Sequence, residues 1–240
     1  MGRGPSLMGR WRPCYGTGME VYYGWFDISP PVSERAAVFP GDTPYRRESL
    51  MDWSGGHHLA LGTVHTTLHV GAHADAPLHY HPEGAPIDAV DPRRYIGPCQ
   101  VVFIQAEPGE RIVPSHLGDT PITAPRVLFA TGSFPDPDAW RDDFNALSPE
   151  LIHHLADRGV RLVGIDTPSV DPADSKALES HQALHARGVA VLEGLVLSHV
   201  LPGNYFLVAP PLKLVGADAS PVRAVLLPPD TWASSDPEIP

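Results

Sequence analysis

The chain has 240 residues, 42% of them hydrophobic, and sets 28 Asp and Glu against 17 Lys and Arg for a formal net charge of −11. That length suits a single α/β domain able to bury about 70% of its unfolded surface. The acidic balance without any basic run argues against nucleic acid or anionic membranes as partners, and no apolar stretch approaches the ~18 residues that span a bilayer.

Residues 1–18 are rich in Arg, Gly and Pro and lack the unbroken apolar stretch of about 7 residues that a secretory signal needs. They read as a disordered extension, or as sequence upstream of a start at Met19, leaving 19–240 as the domain. The two cysteines, Cys14 and Cys99, lack zinc-ligand spacing and suggest a reduced, cytoplasmic chain.

In chain order, β-rich composition predicts strands over residues 21–28 and 59–68. Gly71 and Pro77 disfavour a helix over 69–79, so extended chain running into a turn is expected there. Strands are further predicted over 100–105 and 126–130. Ser148 as N-cap and Pro149 at the first helical position open a helix that runs through Ala156 and stops at Gly159. On it His153 and His154 diverge by about 100° and form a solvent-side pair. A strand follows over 161–165, then a helix over about 174–187 ended by Gly188, then strands over 189–192, 205–209 and 222–227. Many strands and few helices, twice in strand-helix-strand order, indicate an α/β fold with a mixed sheet and not a doubly wound one.

Two constellations carry chemistry. The first is His69-x-Gly71-x-His73-x-Asp75. On an extended strand alternate side chains share a face, so His69, His73 and Asp75 would point one way, with Gly71 leaving room for an ion. Two imidazoles and a carboxylate suit zinc or a similar divalent metal, and three protein ligands leave a position open for water. The second pairs a helical histidine with Glu193 at a strand end, where a buried carboxylate needs a partner. His181 and His185 lie one turn apart on the same helix face, and spacing does not choose between them. Asp166, after an apolar strand, reads as a cap for the turn at 167–169.

The motif His69-x-Gly71-x-His73-x-Asp75-x-Pro77-x-His79 and the pattern His181-x11-Glu193-Gly194-Leu195 resemble the two metal-binding segments of the cyclase-like metal-dependent hydrolases, and among them the bacterial kynurenine formamidases, or arylformamidases. Residues 25–32, 39–44 and 164–171 fit the same pattern, so the resemblance runs from about 24 to 227. It implies the swivelling β/β/α fold as a single domain, a homodimer and two zinc ions per subunit, with manganese as a possible substitute. His69, His73 and Asp75 would hold one ion, Asp75 would bridge to the second, and His181 with Glu193 would complete it. The family's proton-transferring histidine falls on His79. The implied activity is hydrolysis of N-formyl-L-kynurenine to L-kynurenine and formate in tryptophan degradation.

The implied chemistry is self-consistent. A bound metal lowers the pKa of water from about 15.7 to about 7, supplying hydroxide as nucleophile, and polarises the carbonyl. An imidazole titrating near 6.5 can pass the proton to the leaving amine. The aromatic substrate needs a flat wall, for which Phe39, Trp25, Trp53 and Tyr80 are candidates, with Phe39 favoured by position. Formamidases tend to carry Trp where this chain has Phe39, so the aromatic wall persists without its indole N–H. Two alternatives stand beside this reading. One is an isatin-hydrolase-like opening of a cyclic amide, with manganese; the other is non-catalytic metal binding.

Overall fold

The computed structural model describes residues 21–231 except Tyr23. The expected extension at 1–18, with Cys14, lies outside the described residues. The strands are β1 (Val21–Tyr22), β2 (Trp25–Asp27), β3 (Arg46–Met51), β4 (Leu61–His65), β5 (His73–Asp75), β6 (Ile96–Phe103), β7 (Arg111–Ile112), β8 (Arg126–Ala130), β9 (Ala146–Leu147), β10 (Leu162–Ile165), β11 (Ala190–Leu192), β12 (Gly203–Val208), β13 (Ala219–Pro221) and β14 (Val225–Leu227). Among the described residues three α-helices accompany them: α1 (Pro77–Tyr80), α2 (Pro149–Ala156) and α3 (Glu179–Arg187).

Eight strands form one mixed sheet in the order β1-β2-β14-β12-β6-β8-β10-β11. From β6 to β11 the neighbours are parallel, and from β6 back to β1 they are antiparallel. The parallel half is covered on both faces, as such sheets require. Along β8, Val127 and Phe129 join α2's Leu151, Ile152 and Leu155 and α3's Leu184 in one core, while Leu128 and Ala130 face a second core with Ile28, Leu192 and Leu207. α2 starts as its sequence dictates: the Ser148 hydroxyl accepts from the Leu151 amide at 3.1 Å, with Pro149 next to it. The mixed α/β class read from the sequence is the one observed.

Four local expectations are corrected. The predicted strand at 21–28 is a hairpin of β1 and β2, turned at Gly24 with φ +87°. The strand at 59–68 shortens to β4 and pairs with β3, which the charged sequence Arg46-Arg47-Glu48 had hidden. The helix expected from 174 begins at Glu179, because Leu178 takes φ +49° and the Ser175 hydroxyl accepts from the Leu178 amide at 3.1 Å. Asp166 does not cap its own turn. It reaches across to the loop after β8, accepting from the Thr131 and Gly132 amides at 2.9 Å and from the Thr131 hydroxyl at 2.7 Å.

Candidate metal centre

β5 is only three residues long because Gly71, just before it, takes φ +59°, a left-handed conformation that L side chains reach only with strain. The stretch from His69 to Asp75 is therefore bent, and the expected single extended face is corrected. A Cβ on Gly71 would meet Val32 at 3.0 Å and Pro30 at 3.4 Å. Its missing side chain thus faces those residues and not an ion; what Gly71 provides is the bend between His69 and β5. Pro77 likewise does not continue an extended chain. It opens α1, where a missing N–H costs nothing, and His79 stands on that single turn.

Glu193 follows β11 and pairs with β5 from the other side: the His73 amide donates to the Glu193 carbonyl at 3.1 Å, and the Glu193 amide to the His73 carbonyl at 3.0 Å. Next to it Gly194 has φ +65°, and a Cβ there would lie 2.1 Å from the Gly71 carbonyl oxygen. Only a glycine at 194 lets these backbones come so close.

α3 delivers His181. The Asp171 carboxylate accepts from the Ser180 and His181 amides at 3.0 and 3.1 Å, and from His181 Nδ1 at 2.8 Å. One acid thus holds both the helix start and the ring. Nε2 then faces Asp75 Oδ2 and Glu193 Oε1, each at 3.3 Å. Asp171 belonged to a stretch singled out in the sequence, but nothing there assigned it this role. His185, one turn on, stacks instead on His81 with ring centroids 3.9 Å apart. The choice left open by spacing is made by this packing.

Five donors from three separated segments therefore face one another. His73 Nε2 lies 3.4 Å from Asp75 Oδ1 and 3.2 Å from Glu193 Oε2, and His69 Nδ1 lies 3.0 Å from Asp75 Oδ1. Asp75 divides its oxygens, Oδ1 toward His69 and His73 and Oδ2 toward His181. His79, partly exposed, stands at the edge with Nε2 4.0 Å from Asp75 Oδ2. Asp218, just before β13, was missed by sequence reasoning: its Oδ2 lies 3.0 Å from His69 Nε2 and 3.6 Å from His79 Nδ1. It comes from a distant strand that pairs with β5, and no local pattern marks it.

His73, Asp75, His181 and Glu193 are each no more than 2% exposed. Two carboxylates buried this close repel unless cations meet them. Burial pushes the Asp75 carboxyl up, but the His181 and His69 imidazoles beside it and the charge of His73 hold it well below its usual range. For Glu193, burial and the charge of Asp75 push up, and the adjacent His181 and His73 imidazoles prevail, leaving it lowered. Burial depresses His69, yet the adjacent Asp75 carboxylate and the bond to Asp218 raise it to about 9. His181, buried but bonded to Asp171, Asp75 and Glu193, rises well above 6.5. His79 goes the other way: burial and the neighbouring His69 and His181 outweigh the pull of Asp75 and lower it.

The donor set fits a divalent cation. His73 Nε2 and Asp75 Oδ1 are buried without a hydrogen-bond partner, and such orphaned lone pairs want either protons or a metal. Donor atoms of His69, His73 and Asp75 lie within 4.8 Å of one another, as do those of Asp75, His79 and His181. Asp75 is common to these two groups; a third comprises His69, His79 and Asp218.

A cavity of about 510 Å³ opens onto these residues, lined by His69, His73, His79, His181 and Glu193 at one end. Phe39 lines it too, with its ring 5.0 Å from Trp140, and Trp140 and Phe134 complete the aromatic wall. The last two were not anticipated. Trp140 brings back an indole, but its N–H donates to Asp142 at 2.7 Å. Trp25, Trp53 and Tyr80 do not line the cavity; Tyr80 is buried against His181 instead.

The Cyclase family model, described as "Putative cyclase", matches residues 26–172. The chain belongs to the Cyclase family. Over 204 residues it is 50% identical to a kynurenine formamidase of Bordetella pertussis strain Tohama I, covering 84% of this chain and 96% of that relative. A "predicted metal-dependent hydrolase" from Bacillus stearothermophilus superposes with a TM-score of 0.72 at 29% identity, covering 88% of this chain and 98% of the other. Isatin hydrolase A from Labrenzia aggregata, at 24% identity and a TM-score of 0.69 over 84% and 92% of the two chains, shares the fold. The single-domain mixed α/β architecture described above is thus that of Cyclase-family structures.

Proposed function

We propose that the protein is a kynurenine formamidase, an arylformamidase that hydrolyses N-formyl-L-kynurenine to L-kynurenine and formate in tryptophan degradation by the kynurenine pathway. The observation that carries a metal hydrolase is the convergence of five donors, of which His73 Nε2 and Asp75 Oδ1 are buried without a hydrogen-bond partner. The choice of substrate is supported by 50% identity to a Bordetella pertussis kynurenine formamidase. His69, His73 and Asp75 would hold one ion, and His181 and Glu193, sharing Asp75, a second. Zinc suits this nitrogen and oxygen set, and manganese is the alternative. Bound there, the ions supply Lewis acidity, which ionises water near neutral pH and polarises the formyl carbonyl.

The side chains do the rest. Burial and the neighbouring imidazoles lower the pKa of His79 and so favour its neutral ring, whose Nε2 can take a proton from the nucleophile and return it to the departing aniline nitrogen. Asp218 faces the opposite ring nitrogen at 3.6 Å. Phe39, backed by Trp140, offers the substrate ring an apolar face and keeps water from it. A metal-storage protein has no use for such a cavity or for an imidazole at its mouth.

The reading takes residues 19–240 as one domain in a cytoplasmic homodimer, with 1–18 as an extension. A reduced setting is consistent with Cys99, buried and free. No helix among the described residues is long and apolar enough to cross a membrane. The dimer is supported by the β3–β4 hairpin, whose two strands pair only with each other among the described residues and leave Leu50, Trp53, Leu61 and Val64 exposed. The test is formate release from N-formyl-L-kynurenine by the purified protein. A chelator should abolish it and added zinc or manganese restore it; release that withstands complete metal removal would overturn the reading.

A further inference from the structure

Apart from Glu193, which the imidazoles and an ion would meet, the acid lining the cavity is Asp42, in a chain of formal charge −11. An incoming carboxylate is repelled unless a cation receives it. The imidazoles of His69, His73 and His181 already face the acids at the reacting end. Beyond that end and the ions it would hold, Lys176 is the cation available: among the described residues it is the only Lys or Arg lining the cavity, and it is one of just two lysines in the sequence. No hydrogen bond or ion pair engages its ammonium among the described residues.

Its place is also fixed. The Ser175 amide donates to the Pro172 carbonyl at 3.0 Å, and the Ser175 hydroxyl donates to Glu179 Oε2 at 3.0 Å while accepting from the Leu178 amide. Glu179 is in turn held by Arg111 at 2.9 Å. Leu178, beyond Lys176, is the only non-glycine residue with positive φ among the described residues, a conformation that persists only where surroundings enforce it and that tends to occur at ligand sites. The braced loop leads directly into α3 and His181. The span from the Lys176 backbone to the reacting end is therefore set by rigid structure.

From this we infer that Lys176 forms a carboxylate subsite, receiving the amino-acid end of the substrate by a charge-assisted hydrogen bond while the formyl group sits at the imidazole cluster. The inference rests on the formamidase reading and adds that the preferred substrates are N-formyl anilines bearing a side-chain carboxylate.

The experiment compares three formanilides on the metal-loaded enzyme: N-formyl-L-kynurenine, its analogue with the ammonium replaced by hydrogen, and ortho-formamidoacetophenone, which carries neither charge. The unaltered enzyme should favour both carboxylates over the acetophenone in kcat/KM, chiefly through KM. Lys176→Met should reduce that preference about tenfold, and Lys176→Arg should retain most of it. A preference unchanged in Lys176→Met, or an equal loss on all three compounds, would overturn the subsite. If the unaltered enzyme released formate from none of them, the formamidase reading itself would fall, and the subsite with it.

Discussion

At the scale of single residues, Asp75 organises the site. Each of its oxygens meets a different set of imidazoles, and its burial makes the charge costly without them. His79 is more exposed than His69 or any other member of the cluster and has a lowered pKa. His79→Ala is therefore expected to keep its metal by elemental analysis while turnover falls about 10²-fold or more; loss of metal would make His79 a ligand. The two helical histidines separate equally well. His181 is buried between Asp75, Glu193 and Asp171, whereas His185 stacks on His81 away from the acids. His181→Ala should lose metal and activity together and His185→Ala neither. The reverse result would place the site on the other turn of α3.

At the scale of elements, the site depends on two backbones meeting. Gly71 bends the chain ahead of β5, and Gly194 lets the strand end after β11 close on it. Gly194→Ala adds a methyl 2.1 Å from the Gly71 carbonyl at φ +65°, so the His73–Glu193 pairing must open. We expect a cost of at least about 2 kcal/mol in urea unfolding together with reduced metal content; an unchanged midpoint would show that the loops can part freely. Element identity was legible where it is local. Ser148 and Pro149 announce α2, and Gly188 ends α3 with φ +60°. Elements governed by distant contacts were not legible. The Asp171 cap on α3, the bend at Gly71 and the one-turn α1 all depend on neighbours remote in sequence, and extended chain was the natural reading of 69–79.

At the scale of the whole molecule, the β3–β4 hairpin stands apart from the eight-stranded sheet. Two-stranded hairpins are marginal alone in water, and this one shows solvent Trp53 at 69% and Leu61 at 49% exposure. A second copy of the chain covering it accounts for both facts. Sedimentation should give twice the chain mass, and Trp53→Glu combined with Leu61→Glu should shift the protein toward the monomer. A parent protein that sediments as a monomer would remove the homodimer from the reading.

The sequence by itself determined the α/β class, the acidic surface, the two segments rich in metal-binding side chains and the resemblance they carry. These are matters of composition and short spacing, which a linear chain displays directly. Spacing left two helical histidines and the resemblance favoured His181; only the tertiary structure decided that Asp171 and Asp218 hold the imidazoles, and that Trp140, Phe134 and Lys176 share a cavity with Phe39. Those facts are juxtapositions across 100 residues or more in several cases, created by the order in which strands pair, and no local pattern encodes them.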